Sequence, residues 1–200
     1  MKLKISVHKS CRNKANPQKV AKGWSNIYED ITWLLGWVGA GYGWTSTHFR
    51  DRHRKAENAT GSNMIVIDFD GDTTLDKFWS AQTAKDWCIA TYTSSSHTPA
   101  QHRFRAIFPL EKELQSAAEH RGAYWLIVNR LLQELGLEQL EDNCGQKPER
   151  LWYGNTNAIV QLNNDAFVPA FLLDDIAYEE VSNFVHSDVT DIDVKRCQWL

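Results

Sequence analysis

The chain has 200 residues, of which 42% are hydrophobic and 24% charged, and this balance excludes a disordered or fibrous chain. Its apolar runs are too short to span a membrane, and its basic N-terminus lacks the apolar run of a secretion signal. The net charge of −3 hides a division, because residues 1–60 carry 11 Lys and Arg against 4 Asp and Glu, whereas the remainder carries 11 against 21. A basic part beside an acidic one would suit a phosphate-rich partner and bound cations, although charge runs are usually solvated faces.

The first half of the chain alternates short strands with helical patterns. A strand is predicted at residues 4–7, and apolar residues at helical spacing predict a helix within 24–40. A basic, loop-rich segment at 41–62 leads into the apolar strand Met64–Asp70. A turn and a short helix are predicted at 73–87.

The second half is predicted to pair strands antiparallel. Few residues separate the strands at 88–94 and 102–110, too few for a crossover helix, so these strands should form a hairpin. An apolar stripe predicts a helix at Leu114–Leu135, and two short strands are expected at 150–155 and 158–162.

The four cysteines do not form a metal-binding pattern. Cys11, Cys88, Cys144 and Cys197 lie far apart and show no CxxC spacing. No zinc site is therefore expected, and the pattern is typical of a protein in a reducing compartment, so we predict a cytoplasmic location.

The strand Met64–Asp70 ends on two carboxylates. Side chains alternate along a strand, so Asp68 and Asp70 share one face, about 7 Å apart at the backbone, while Ile67 and Phe69 face the other way. The carboxylates could converge on one divalent cation or on two, because Mg²⁺ prefers oxygen ligands and metal pairs assist nucleotidyl transfer. A strand end that carries solvated acids is the simpler alternative.

The predicted hairpin carries the second group of candidates. His97 lies at its tip after Ser95, and Arg103 and Arg105 share one face of the returning strand. Guanidinium groups pair well with phosphates or carboxylates, and an imidazole can donate to a phosphate oxygen. The arginines could instead pair with structural acids, and His97 could be an ordinary loop histidine.

A third acidic candidate follows the long helix. In "LEDNCGQKPERLWYGN", Asp142 could be a metal ligand, and Arg150 begins the next predicted strand. An acidic loop after a helix is ordinary, so Asp165 and Asp174 are alternative third carboxylates.

Taken in this order, the motifs resemble those of the archaeo-eukaryotic primase superfamily, especially primase-polymerase domains of phage and plasmid replication proteins. "VIDFD" resembles the strand that ends in DxD, and "SSH" resembles the S-x-H motif. "HTPAQHRFRAIFPL" and "DNCGQKPERLWYGN" resemble the segments that follow, and "RHRKAEN", with Arg54 and Asn58, resembles a basic R-x-x-x-N stretch. The likeness covers roughly residues 24–156.

The resemblance implies a DNA primase or polymerase in which Asp68, Asp70 and Asp142 hold two Mg²⁺ or Mn²⁺ ions. Its expected partners are a single-stranded DNA template, ribo- or deoxyribonucleoside triphosphates, and a helicase, either as a C-terminal domain or separate; a membrane is not expected. The residues expected to bind the nucleotide are Ser95, His97, Arg103, Arg105 and Arg150. The residues expected to contact the template or the triphosphate are Arg50, Arg52, Arg54 and Lys55.

The resemblance also implies an α+β fold. In this prediction residues 1–60 form a basic N-terminal α/β lobe, and residues 61–175 form a catalytic module with an RRM-like mixed or antiparallel sheet. The active site would lie in the cleft between them. Residues 176–200 would be an acidic linker towards a missing C-terminal domain, since the chain ends abruptly.

Two other classes of protein remain open. "IDFDGDTTLD" also resembles the first motif of haloacid dehalogenase-like phosphatases, with Asp68 as nucleophile and Asp70 as acid/base. Asp72 stands where that motif has threonine, and the predicted hairpin breaks the strand-helix alternation of such a fold. The other class is a non-catalytic RRM-like module that binds single-stranded nucleic acid by stacking bases. Its candidate stacking residues are Trp44, Tyr92 and Trp152.

Overall fold

The structure, a computed structural model, describes residues 1–12 and 20–174 of the chain. The predicted acidic linker at 176–200 lies outside the described residues. Within the described part, no helix is both long enough and apolar enough to cross a membrane.

The N-terminal part forms a small antiparallel sheet with one helix. The strands β1 (Leu3–Arg12), β2 (Ser25–Glu29) and β3 (Tyr42–Thr45) lie in the order β2-β1-β3, and α1 (Ile31–Gly39) connects β2 to β3. The helix predicted within 24–40 is therefore too long. Residues 25–29 pair with β1 instead, and Asp30 begins the helix because its carboxylate accepts the N–H of Trp33 at 2.9 Å.

The larger sheet is also antiparallel. Its strands lie in the order β4-β6-β5-β7. The strands are β4 (Ser62–Asp70), β5 (Ala90–Thr93), β6 (Arg103–Leu114) and β7 (Val160–Leu162). The β5–β6 hairpin is confirmed, and no helix lies between its strands. An antiparallel sheet of this kind is inconsistent with the alternating parallel fold of a haloacid dehalogenase-like phosphatase.

Helices cover one face of the larger sheet. The predicted short helix at 73–87 is two helices, α2 (Leu75–Ser80) and α3 (Gln82–Trp87). The predicted long helix is confirmed as α4 (Ala117–Leu135), but it begins later than predicted, since Leu114 is the last residue of β6. Ser116 caps its start, and Gly136, at φ 63°, ends it. A short helix, α5 (Phe171–Asp174), ends the described chain.

The strand predicted at 150–155 is wrong. Only Trp152 pairs there, in a single bridge to Trp44 of β3 with N···O distances of 2.8 and 2.9 Å. The segment then turns, because Gly154 packs directly against the backbone of Val38 and Tyr42 and leaves no room for a continuing ladder.

Two hydrophobic cores lie on opposite faces of β4. Ile65, Ile67 and Phe69 pack against α4 and its neighbours, whereas Met64 and Val66 pack against β1 and α1. The two predicted parts of the chain therefore share the second core. The α+β class is confirmed, and the even-numbered face of β4 lies towards the N-terminal part.

Candidate active site

The antiparallel register places the two carboxylates of β4 opposite the two arginines of β6. Asp68 pairs with Arg105 and Asp70 with Arg103. Arg103 Nε lies 2.7 Å from Asp70 Oδ1, and Arg105 Nε lies 3.4 Å from Asp68 Oδ1. Opposite charges at directly opposed positions attract each other across the sheet. The structure therefore brings the two predicted acids and the two predicted arginines into one cluster.

Strand alternation explains why these charges share a face. Ile67, Phe69 and Phe104 are fully buried in the α4 core, so Asp68 and its arginine partner must point the other way, towards the N-terminal part. The Asp68 side chain is 13% exposed and that of Asp70 is 41% exposed. The inner pair is therefore nearly dry, while the outer pair lies at the opening.

Arg105 is held by aromatic rings and by one carbonyl. Its guanidinium carbon lies 5.6 Å from the ring centroids of both Tyr92 and Trp152, and its Nη1 donates to Tyr153 O at 2.8 Å. Burial alone would lower the pKa of Arg105, but the nearby Asp68 carboxylate reverses the effect and the net shift is upward. Arg105 therefore stays charged and oriented.

The pKa of Asp68 is raised, first because the carboxylate is buried. Arg105 and Arg150 oppose that shift, whereas Asp142 and Asp70 add to it through like-charge repulsion. The three predicted carboxylates thus lie near enough to influence one another electrostatically. An additional positive charge at this cluster would stabilise the ionised form of Asp68.

The loop after α4 brings the third carboxylate to the cluster. Asp142 Oδ2 lies 3.6 Å from Arg150 Nη2, and Asp142 Oδ1 accepts the N–H of Cys144 at 2.7 Å. The guanidinium of Arg150 lies 5.6 Å from the centroid of the Trp152 ring, which also flanks Arg105. Both side chains of this ion pair are largely buried, at 18% and 13% exposed.

A close backbone contact fixes this loop on β4. A Cβ at Gly145 would lie 2.2 Å from Val66 O and 2.7 Å from a ring carbon of Tyr124. The buried His120 reaches the same point, since its Nε2 lies 3.1 Å from Gly145 O and donates to it. Glycine is therefore required for Asp142 to come this near to the strand that carries Asp68.

Asp72 has a role that the sequence did not reveal. One of its oxygens accepts the N–H of Asp70 at 2.8 Å and the other accepts the N–H of Glu141 at 2.6 Å. Asp72 therefore ties the end of β4 to the residue before Asp142 and sets the spacing of the carboxylates. Gly71, at φ 103°, makes the turn that allows this contact.

His97 lies at the hairpin tip beside a second histidine, His102, that sequence reasoning missed. The N–H of Arg103 donates to His97 Nδ1 at 3.1 Å, and the N–H of Leu75 donates to His102 Nδ1 at 3.0 Å. In their neutral forms both rings therefore carry their hydrogen on Nε2. The pKa of His97 is lowered by burial and by the neighbouring His102, whose ring centroid is 5.1 Å away.

The remaining predicted residues are divided between surface and interior. Ser95 is exposed at the hairpin tip, and Arg50 and Lys55 are exposed in the segment before β4. Arg52 Nε donates to Trp24 O at 3.0 Å, whereas Arg54 Nη1 reaches across to Glu149 O at 3.1 Å, in the loop that carries Arg150. Burial lowers the pKa of Arg54, which belongs with the site loop rather than with an open surface.

The alternative residues do not join the cluster. Asp174 pairs with Lys112, at the opposite end of β6 from Arg103, and Asp165 lies in a turn after β7 with φ 66°. The proposed stacking residues Trp44, Tyr92 and Trp152 are at most 1% exposed. They are core residues and offer no surface to a nucleic acid.

The arginines of the cluster contact their carboxylates with poorly directed N–H groups. Arg103 Nε and Arg105 Nε lie 2.7 and 3.4 Å from carboxylate oxygens, yet no described residue accepts a hydrogen bond of suitable geometry from the buried Nε–H groups of Arg103, Arg105 and Arg150. Hydrogen bonds weaken steeply when they are misaligned. An anion that entered the cluster would offer these groups better-placed acceptors.

The donor chemistry fits a hard divalent cation, but the resting arrangement does not converge on one. Asp68, Asp70 and Asp142 offer the oxygen ligands that Mg²⁺ and Mn²⁺ prefer. Within residues 1–12 and 20–174, however, no three His, Cys, Asp or Glu side chains are grouped closely enough to hold a metal ion. Each carboxylate contacts an arginine instead, so a cation would have to displace these ion pairs.

The sequence matches the VapE N-terminal domain family over residues 34–168, and the chain belongs to this family. The matched range contains all three candidate carboxylates and the arginines paired with them, and the predicted family relationship is confirmed. No curated protein matches the chain. Among solved structures, the archaeo-eukaryotic primase domain of the primase-polymerase of cyanophage S-2L is similar at a TM-score of 0.44 and 10% identity, covering 87% of this chain and 88% of that chain.

Proposed function

We propose that the chain is a primase-polymerase catalytic domain that adds nucleotides to a 3′ hydroxyl along a single-stranded DNA template. One observation carries the proposal: three carboxylates and three arginines form ion pairs in one cluster, two pairs on the sheet face that lies towards the N-terminal part and the third in the loop after α4. Such a cluster can bind cations and phosphates together. Membership of the VapE N-terminal domain family supports a role in replication.

Asp68, Asp70 and Asp142 would hold two divalent cations, Mg²⁺ or Mn²⁺. Bound cations of this kind neutralise phosphate charge and orient the attacking and leaving oxygens. The raised pKa of Asp68, which follows from its burial, is consistent with a position that normally receives additional positive charge.

The chain's own residues would bind and orient the incoming ribo- or deoxyribonucleoside triphosphate. Arg103 and Arg105 would exchange their carboxylate partners for phosphate oxygens, which a guanidinium binds with the same fork. The rings of Tyr92 and Trp152 limit the motion of Arg105, so little rotamer entropy is lost when it binds. His97 would donate its Nε2 hydrogen to a phosphate oxygen.

In the reaction the 3′ hydroxyl would lose its proton to solvent water and its oxygen would bond to the α-phosphorus, while the bond from that phosphorus to pyrophosphate breaks and pyrophosphate leaves. Base pairing with the template selects the nucleotide. The protein contributes mainly positioning and charge neutralisation, which is consistent with a cluster of fixed charges on a rigid sheet.

Primer extension tests the proposal. The purified chain is incubated with a primed single-stranded DNA, labelled nucleotides and Mg²⁺ or Mn²⁺. We expect metal-dependent products that fall by about 10²- to 10³-fold in Asp68→Asn and Asp70→Asn. The control is Asp76→Ala, since Asp76 is an exposed carboxylate on α2, outside the cluster.

Two results would overturn the proposal. The first is a well-folded chain that yields no product with either metal on any primed or unprimed template. The second is equal product formation by wild type and Asp68→Asn. Hydrolysis of a simple phosphate ester without extension would instead support the phosphatase chemistry.

A further inference from the structure

A column of four flat groups lies at the surface of the N-terminal part. The rings of Trp33 and Trp37 stack at 5.3 Å with an interplanar angle of 13°, and Trp37 stacks on Tyr42 at 4.4 Å and 28°. The guanidinium of Arg12 lies 5.1 Å from the centroid of the Tyr42 ring. The three rings are partly exposed and Arg12 is exposed, so the column is accessible from solvent.

Local structure fixes the planes of this column. Trp33 and Trp37 are four residues apart on α1 and therefore lie one above the other. Trp37 Nε1 donates to Gly43 O at 3.1 Å. Arg12 is paired in register with Tyr42 across β1 and β3, and its Nε donates to Ala40 O at 3.0 Å. The groups are thus preorganised by the fold.

Two glycines leave the adjoining face of α1 open. Gly36 and Gly39 have helical backbones, and a Cβ at either would meet nothing within 4 Å. By contrast, a Cβ at Gly43 would lie 2.3 Å from Cys11 Sγ. Glycine disfavours a helix interior, and no packing contact within the described chain requires it at positions 36 and 39. Close approach by another molecule would explain both.

We propose that this column and the open face of α1 bind a single-stranded nucleic acid. A base would stack on the face of Trp33 that is turned away from Trp37, and the guanidinium of Arg12, at the other end, would contact a base or a phosphate. The glycine face would admit the sugar-phosphate backbone beside the rings. Stacked aromatic planes with a terminal arginine suit unpaired bases, whose flat faces are exposed, and do not suit a duplex.

The column adjoins the candidate active site through one short segment. Gly154 packs against the backbone of Val38 and Tyr42, and the N–H of Asn155 donates to Val38 O at 2.9 Å. Tyr153, which precedes Gly154, accepts the hydrogen bond from Arg105 through its carbonyl oxygen. A nucleic-acid strand bound on the column would therefore lie beside the ion-paired cluster of the candidate active site. This surface would hold the template of the proposed reaction, a role that rests on the proposed function, but the binding itself does not require catalysis.

Binding is measured without catalysis, by fluorescence anisotropy of a labelled oligothymidine in buffer with EDTA. We expect Trp33→Ala to weaken binding by about five- to a hundredfold, the range for loss of one stacked base. Trp37→Ala should have a smaller effect, because Trp37 supports the ring of Trp33 and does not itself stack on a base. Trp33→Phe should retain most of the affinity because it keeps a ring. Tyr28→Ala is the matched control, since Tyr28 is a 53% exposed aromatic of the same small sheet that is outside the column.

A second variant separates binding from folding. Gly36→Leu places a bulky side chain in open space, so it should maintain or raise the melting temperature while weakening binding. Gly36→Ala should raise the melting temperature with little loss of binding. An oligonucleotide that binds Gly36→Leu and Trp33→Ala as tightly as wild type overturns the inference, and so does a duplex that binds as tightly as the single strand.

The two proposals fail separately. If Asp68→Asn abolishes extension while oligothymidine binding is unchanged, binding at the column does not depend on the catalytic cluster, as the inference requires. If binding is lost only in an Arg50→Ala, Lys55→Ala double variant, the nucleic acid lies on the segment before β4 and the proposed column is wrong.

Discussion

Replacing Asp72 with alanine should loosen the third carboxylate without touching any of the three. The Asp72 side chain accepts the N–H groups of Asp70 and Glu141 at 2.8 and 2.6 Å, and these bonds connect β4 to the loop that carries Asp142. In Asp72→Ala both donors lose a charged acceptor. Asp72→Asn should be intermediate, because an amide has one accepting oxygen.

The size of the effect follows from the exposure of the two bonds. A hydrogen bond to a charged group contributes about 1.5–3 kcal/mol, but the bond to Glu141 is exposed to solvent and water can replace much of it. We therefore expect a loss of about 2 kcal/mol in the free energy of unfolding. In a domain of this size that corresponds to about 4–8 °C in melting temperature.

Catalysis should suffer more than stability. A displacement of about 1 Å at a reacting centre can cost about a hundredfold in rate, so kcat of Asp72→Ala in primer extension should fall by about ten- to a hundredfold. Urea unfolding measures the stability, and amide hydrogen exchange of residues 139–146 measures the release of the loop. The control is again Asp76→Ala. Wild-type exchange in residues 139–146 together with wild-type stability would refute the role of Asp72.

Three further predictions address neighbouring features. Gly145→Ala forces a Cβ against Val66 O and should lower the free energy of unfolding, measured in urea, by about 1–3 kcal/mol. Gly36→Ala should not lower it, and equal stability of the two variants would contradict the steric argument. Burial lowers the pKa of His120 from 6.5 to about 4, so the unfolded chain binds a proton at a higher pH than the folded chain does. About 3 kcal/mol of folding stability is therefore fully present above pH 6.5 and should be lost as the pH falls to 4. A pH series of unfolding curves checks this, and His120→Gln should remove the slope. Arg105→Lys keeps the charge but loses the paired N–H donors of the guanidinium, so KM for the nucleotide should rise about ten- to a hundredfold in steady-state kinetics. An unchanged KM would show that Arg105 does not bind the nucleotide.

The faces on which the charges of the ion-paired centre lie were predictable, but the pairing of β4 with β6 that joins them was not. The sequences Asp68-Phe69-Asp70 and Arg103-Phe104-Arg105 have the same alternation, and the short connection between β5 and β6 predicted their antiparallel pairing. Alternation alone then places both acids on one face and both arginines on one face. Of the alternatives that sequence reasoning kept for these arginines, the structure shows the pairing with acids, and the pairing with phosphates belongs to the proposed function.

The contacts that position the third carboxylate could not be predicted. Asp72 reaches Glu141 across 69 positions of sequence, and such a contact depends on how the loop after α4 packs on β4. The close approach of Gly145 to Val66 is of the same kind. Local patterns carry no information on either, because both arise only when two distant segments share a surface.

Two of the wrong predictions have one physical origin, which is the second core. Residues 25–29 have apolar spacing compatible with a helix, but pairing with β1 satisfies their backbone groups and makes them a strand. Trp44, Tyr92 and Trp152 looked available for stacking, yet the small sheet and α1 cover that face of the larger sheet and bury them. A tertiary contact between two sheets thus overrides what each segment prefers alone.

The ion-paired cluster constrains how the proposed reaction could begin. Removing one partner from a buried ion pair costs about 3–5 kcal/mol, because the other charge is left uncompensated. A cation that took Asp68 from Arg105 would therefore bind poorly unless an anion reached the arginine at the same time. A triphosphate that carries its own divalent cations would supply both charges together and would give the arginine N–H groups well-placed acceptors. Metal and nucleotide would thus bind with positive coupling, and the arginines would keep the carboxylates neutralised and in register until both arrive.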